Sequence, residues 1–171
     1  MSNRKKYLVF GLIIVLGVAL DQITKVWAAD TLKDVYDYNP DAFFAWTYAE
    51  NDGAFLSLGS NLPDGLRLIL LTILPGLLLL GVMVYMLRSK ALTMAENVCF
   101  ALIAAGGIGN IIDRIMYGKV VDFMHMNFGV METGIFNVAD LYIVFGIIIY
   151  VLAYFMGPKQ PPESTDATPA T

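Results

Sequence analysis

A single cysteine, Cys99, and a single histidine, His125, occur in the 171 residues. One thiol cannot close an internal disulfide, and between apolar neighbours it reads as a small core residue. One imidazole excludes a His-cluster metal site. Neither H-E-x-x-H nor C-x-x-C spacing occurs, so zinc lacks a ligand set and no cofactor is implied. The same scarcity removes Ser/His/Asp and Cys/His nucleophilic sets: Ser57, Ser60 and Ser89 have no histidine to activate them, and Cys99 sits at the opposite end of its apolar segment from the acidic residues below. Charge is thin as well, at 15% of residues with a net of −4, and Arg4-Lys5-Lys6 is the one basic run. A nucleic-acid partner is therefore excluded.

What the chain has instead is apolar length. Hydrophobic residues make up 57% of it, which marks an integral membrane protein. Spans are expected at about Tyr7–Ala29, Leu66–Leu87, Met94–Met116 and Asn137–Met156, each near the roughly 20 residues a bilayer-crossing helix needs. Arg4, Lys5 and Lys6 precede the first span, Arg88 and Lys90 lie between the second and third, and Lys159 follows the fourth, so both termini are expected in the cytoplasm. The basic start followed by an apolar run also fits a secretory signal peptide. Trp27-Ala28-Ala29 is a poor cleavage site, however, and cleavage would discard Asp21 and Lys25, which lie four apart on one helical face and can pair. Residues 1–156 read as one transmembrane unit. The Pro/Thr/Ser-rich tail 157–171 has no packing face and is expected to be disordered in the cytoplasm.

Between the first two spans, Tyr36, Tyr38 and Phe43 precede Phe44, Trp46 and Tyr48, whose alternation predicts a strand with one apolar face. Asn51-Asp52-Gly53 supplies a turn before Ala54-Phe55-Leu56. A plain surface hairpin accounts for this segment. Between the last two spans, Gly118–Phe136 is unusually apolar for a loop and is expected to lie in the membrane interface.

The acidic residues at span ends carry the chemical content. A charged side chain at mid-bilayer costs roughly 2.5–3.5 kcal/mol on insertion scales, so an acid in or beside a span calls for a function. Gly106, Asn110, Asp113 and Arg114 share a face of the third helix, Asn137 and Asp140 share the entrance of the fourth, and Asp122 lies between. Two carboxylates in one site cannot both ionise cheaply; one keeps its proton, which provides a general base and a general acid together. Structural readings stand beside this one: an Asp113–Arg114 anchor, Asp140 favoured by the helix dipole, Asp122 as an interfacial acid, and Gly106, Gly107 and Gly109 as points of close helix approach. A small transporter or proton relay would step acids through the bilayer depth, whereas these gather at one end. A lipid-binding scaffold explains the aromatics but not the separate acids.

Gly-Gly-x-x-Gly-Asn-x-x-Asp-Arg at 106–114, Val-Val-Asp-Phe at 120–123 and Phe-Asn-x-Ala-Asp at 136–140, with Asp21-Gln22-x-Thr24-Lys25 and Asn51-x-Gly53-Ala54 before them, resemble the lipoprotein signal peptidases, or signal peptidase II, over residues 5–156. The resemblance implies an all-α bacterial inner-membrane aspartic protease of four transmembrane helices, with a small extracytoplasmic β-cradle, an interfacial segment and a site near the outer face. Its catalytic pair falls on Asp122 and Asp140. Asn51, Gly53, Asn110, Asp113, Arg114 and Asn137 fall on site-shaping or substrate-binding positions, and Asp21 and Lys25 on supporting ones. The implied substrate is a diacylglyceryl-modified prolipoprotein, cut just before the lipidated cysteine. Membrane lipids and a monomeric state are further expectations, and inhibition by globomycin is implied by the same resemblance. Where the family reads Asn-x-Gly-Ala-Ala-Phe, this chain has Phe55 after Ala54, so Phe55 takes no family role; nor does His125.

Overall fold

The computed structural model describes residues 3–35, 39, 41–53, 59–89 and 91–156. Tyr36, Tyr38, Ala54-Phe55-Leu56, Ser57, Lys90, Lys159 and the tail 157–171 lie outside the described residues. The elements in chain order are α1 (Asn3–Thr31), β1 (Phe44–Asn51), α2 (Asp64–Leu68), a π-helical turn (Ile69–Ile73), α3 (Leu74–Arg88), α4 (Met94–Tyr117), β2 (Val120–Met126) and α5 (Val138–Met156). Segments Lys5–Thr31, Asp64–Arg88, Met94–Tyr117 and Val138–Met156 are long and apolar enough to cross a membrane. They match the four expected spans to within a few residues at each end.

α4 is the central rod: 44% of its most apolar window is buried within the protein, against 6% for the Asp64–Arg88 segment. Its start is fixed by a capping box, in which Thr93 Oγ1 accepts from Glu96 N–H and the Glu96 carboxylate accepts from Thr93 N–H. It stops at Gly118, whose φ of +74° only glycine adopts without strain. The α4–α5 interface is close because a β-carbon at Gly106 would collide with the Ala139 carbonyl oxygen and with Ile143. In the second span the π turn directly precedes Leu74-Pro75. Pro75 has no N–H to offer the preceding turn, and a local widening of the helix accommodates that loss.

β1 and β2 pair antiparallel, with Phe44 opposite Met126, Trp46 opposite Met124, Ala49 opposite Asp122 and Asn51 opposite Val120. Between Trp46 and Ala49, β1 advances three residues while β2 advances two, so β1 carries a bulge. The strand expected from the Phe44-Trp46-Tyr48 alternation is present, but its partner is a distant strand and not a local hairpin arm. The apolar Gly118–Phe136 stretch, read as a loop, begins with β2 itself. Beyond β2 the chain returns along it: Phe136 N–H donates to Met124 O at 2.8 Å, and Thr133 N–H to Met126 O at 2.8 Å. That return sets the entrance of α5 beside β2. Trp27 of α1 meets Trp46 edge-on at 5.3 Å, and Trp46 stacks on Phe123 at 6.1 Å, which fastens the sheet to one end of the bundle.

Candidate active site

The acids of β2 and α5 meet across one side chain. Asn137 caps α5: its Oδ1 accepts from Asp140 N–H at 3.1 Å, and Asp140 Oδ2 accepts from Asn137 N–H at 3.1 Å. The Asn137 Nδ2 group then donates one hydrogen to Asp122 Oδ1 at 2.6 Å and the other to Asn110 Oδ1 at 3.1 Å. Asn110 Nδ2 donates to Asp140 Oδ1 at 2.9 Å, and Asn51 Nδ2 to Asp122 Oδ2 at 2.9 Å. Every oxygen of both carboxylates thus accepts a hydrogen bond. Both acids line one cavity of about 320 Å³, with Asn51, Asn110 and Arg114 on its polar side and Ile135, Phe136, Leu141 and Val144 on its apolar side. Burial pushes the Asp122 carboxyl up to about 6, against the lowering hydrogen bond from Asn51; nearby Asp140 raises it further, and the Asn137 hydrogen bond and Lys25 lower it.

Behind the pair lies a buried ion cluster. Lys25 Nζ sits 2.9 Å from Asp21 Oδ2, 3.0 Å from Asp113 Oδ2 and 3.0 Å from Asn110 Oδ1. Asp21 Oδ1 accepts from Ala139 N–H at 3.0 Å, and Asp113 Oδ2 from Val121 N–H at 3.2 Å, so the cluster ties α1, α4, β2 and α5 together. Arg114 reaches the other way and donates to Gly53 O at 3.0 Å. Gly53 N–H in turn donates to Asn51 Oδ1 at 2.9 Å, an Asx turn that aims the Asn51 amide at Asp122.

The structure brings all ten predicted site residues into this one region: Asp122, Asp140, Asn51, Asn110 and Arg114 on the cavity, Asn137 and Gly53 against them, and Asp21, Lys25 and Asp113 behind. The partner expected for Asp113 changes. It pairs with Lys25 and not with adjacent Arg114, because consecutive helix residues point about 100° apart. Gln22 carries a role that the sequence reading left empty. Its Nε2 donates to Asp113 Oδ1 at 2.9 Å and to Gly109 O at 3.3 Å, which closes the cluster from α1. The signal was its place between Asp21 and Lys25 on a helix that meets α4. His125 is buried on β2 with Nε2 3.6 Å from Glu132 Oε2, away from the acids' hydrogen bonds.

A second, apolar groove of about 450 Å³ runs along the outside of the bundle, between Leu71, Leu78 and Val82 on one side and Ile143 and Val144 on the other. It reaches the same Asn110, Arg114 and Asp140.

A family model described as signal peptidase (SPase) II matches residues 13–156. The chain belongs to the signal peptidase II family. It is 40% identical over 156 residues to a lipoprotein signal peptidase of Chlorobium luteolum, covering 85% of this chain and 90% of the relative. With the lipoprotein signal peptidase of Sphingopyxis alaskensis it shares 36% identity over 174 residues, 99% of this chain and 98% of the other. A solved bacterial membrane enzyme superposes with a TM-score of 0.74 at 27% identity, covering 91% of this chain and 94% of its own. The chain is accordingly a membrane-bound peptidase, and the architecture implied by its motifs, a bundle of membrane helices carrying a small sheet, is the one observed.

Proposed function

We propose that this protein is an aspartic endopeptidase of the bacterial inner membrane that removes the signal peptide from diacylglyceryl-modified prolipoproteins, cutting just before the lipidated cysteine. Asp122 and Asp140 act as a pair on one water. Asp140 takes the proton of the water as it attacks the scissile carbonyl carbon, and Asp122 holds the shared proton and passes it toward the departing nitrogen. A carboxyl held at about 6 is close enough to neutrality to keep that proton once substrate closes the cavity to bulk water. Asn137 carries this reading: a single amide bonds Asp122 and caps the helix that presents Asp140, so the two acids are set in one frame before substrate arrives.

The remaining residues take roles their positions support. Arg114 and Asn51 face the cavity and hydrogen-bond the substrate backbone, and Asn110 orders Asp140. The apolar groove reaching Asp140 suits acyl chains and the apolar signal segment, each buried methylene contributing about 0.8 kcal/mol. Both termini face the cytoplasm and the sheet end faces outward, where lipoprotein precursors are presented. The enzyme works as a monomer without a metal, and globomycin inhibits it, as family membership suggests. Complementation tests the reading: in a strain lacking signal peptidase II the wild-type chain should restore lipoprotein maturation, and Asp122→Asn at equal membrane abundance should not. Restoration by Asp122→Asn would refute the assignment.

A further inference from the structure

Each carboxylate of the pair accepts two hydrogen bonds, yet their donors are not equivalent. Asp122 is served by Asn51 and Asn137, whereas Asp140 depends on the amide of Asn110 and the backbone N–H of Asn137. An asparagine amide can sit either way round, and its surroundings decide which end is the donor. For Asn110 the deciding neighbour is charged. Its Oδ1 accepts from Lys25 Nζ at 3.0 Å and from Asn137 Nδ2 at 3.1 Å. Turning the amide over would press its NH₂ against an ammonium and a second NH₂, and would set its oxygen against the Asp140 carboxylate. Lys25 itself has no freedom to leave: it is 4% exposed and held between Asp21 and Asp113, which are 0% and 2% exposed.

We propose that Lys25 is a positioning residue of the reaction: it locks the Asn110 amide with its N–H toward Asp140 and so selects Asp140 as the ionised acid of the pair. The inference rests on the catalytic reading of Asp122 and Asp140. It gives the buried cluster a task beyond joining helices, because a donor fixed by a charge favours the charged form of the acceptor it faces. The charged groups around this arrangement are Asp21 from α1, Asp113 and Arg114 from α4, Asp122 from β2 and Asp140 from α5. Asp30, Lys33, Glu50 and Lys119 border the cleft on the outer side of Lys25.

The test is the pH profile of kcat for the full-length protein on a diacylglyceryl-modified precursor. Asp113→Asn is the reference, since Lys25→Met alone would leave two buried carboxylates facing no cation. Relative to it, Asp113→Asn/Lys25→Met should move the acid limb, where the pair takes its second proton, toward neutral pH by about one unit. Asp113→Asn/Lys25→Arg should move it back. Asn110→Ala, which keeps both ion pairs of Lys25 and removes only its amide partner, should reproduce the displacement. A uniform loss of kcat at every pH with the limb unmoved would overturn the proposal, and so would a limb that moves in the Lys25→Met variant but not in Asn110→Ala, because the Lys25 charge also acts on Asp122 directly. If the Lys25→Met variant fails to fold by circular dichroism, Asn110→Ala decides alone, and an unmoved limb there is equally contrary. Failure of the catalytic reading shows itself separately, as turnover by Asp122→Asn or Asp140→Asn.

Discussion

Asp122 is 2% exposed, and its carboxyl is held at about 6 mainly by burial. In the unfolded chain the same group titrates near its ordinary value of 3.8. Between these limits the folded state holds the proton more tightly, so Asp122 favours folding while protonated, and that contribution is lost as pH rises from about 4 to about 6. The loss is about 3 kcal/mol, from roughly 1.4 kcal/mol per pH unit. The thermal midpoint of the wild-type protein should therefore fall over this range more steeply than that of Asp122→Asn; equal slopes would contradict the assigned environment. At this scale the site was largely legible: Asn110, Asp122, Asn137 and Asp140 stand in compact motifs, and an acid beside a span is conspicuous. The partner of Asp113 was not, because Lys25 comes from another helix while Arg114 is next in sequence and faces elsewhere. Gln22 was hidden for the same reason, since its hydrogen bonds run from α1 to α4.

The helices were legible as elements because hydropathy over a span-length window reports burial in lipid directly. The sheet was legible only in part. Phe44, Trp46 and Tyr48 announce a strand, but its pairing with β2 depends on the path of two spans between them, which no local pattern encodes. The bulge between Trp46 and Ala49 was likewise invisible, although it sets the register that leaves Ala49 opposite Asp122 and Asn51 within reach of it. Contact between α4 and α5 has a sharper requirement. A side chain at Gly106 meets the Ala139 backbone, one residue before Asp140, so Gly106→Val should displace the α5 entrance. Overpacking of this kind costs about 1–3 kcal/mol. The expected outcome is a lower thermal midpoint together with loss of cleavage, whereas Gly11→Val, at a position with open space, should change neither. Full activity in Gly106→Val would show that the α4–α5 approach does not position Asp140.

At the scale of the whole molecule, the proposed topology follows from the four candidate spans and the distribution of basic residues: both ends of the chain on one side and the sheet on the other. Reporter fusions after Lys90 and after Met131 should report cytoplasm and exterior respectively, and the reverse pattern would place the acids on the wrong face. The cavity at the two acids and the apolar groove both reach Asp140, and under the proposed function they hold acyl chains in hydrocarbon beside the peptide bond offered to the acids. The most direct measurement of that claim is cleavage by purified protein of one precursor with and without diacylglyceryl on its cysteine, for wild type, Asp122→Asn and Asp140→Asn in the same detergent. The account predicts that wild type cuts the lipidated precursor, cuts the unlipidated one at least about tenfold more slowly, a difference of about 1.4 kcal/mol in transition-state binding, and that neither aspartate variant turns over. Turnover by either variant, or equal wild-type rates on the two precursors, would contradict it.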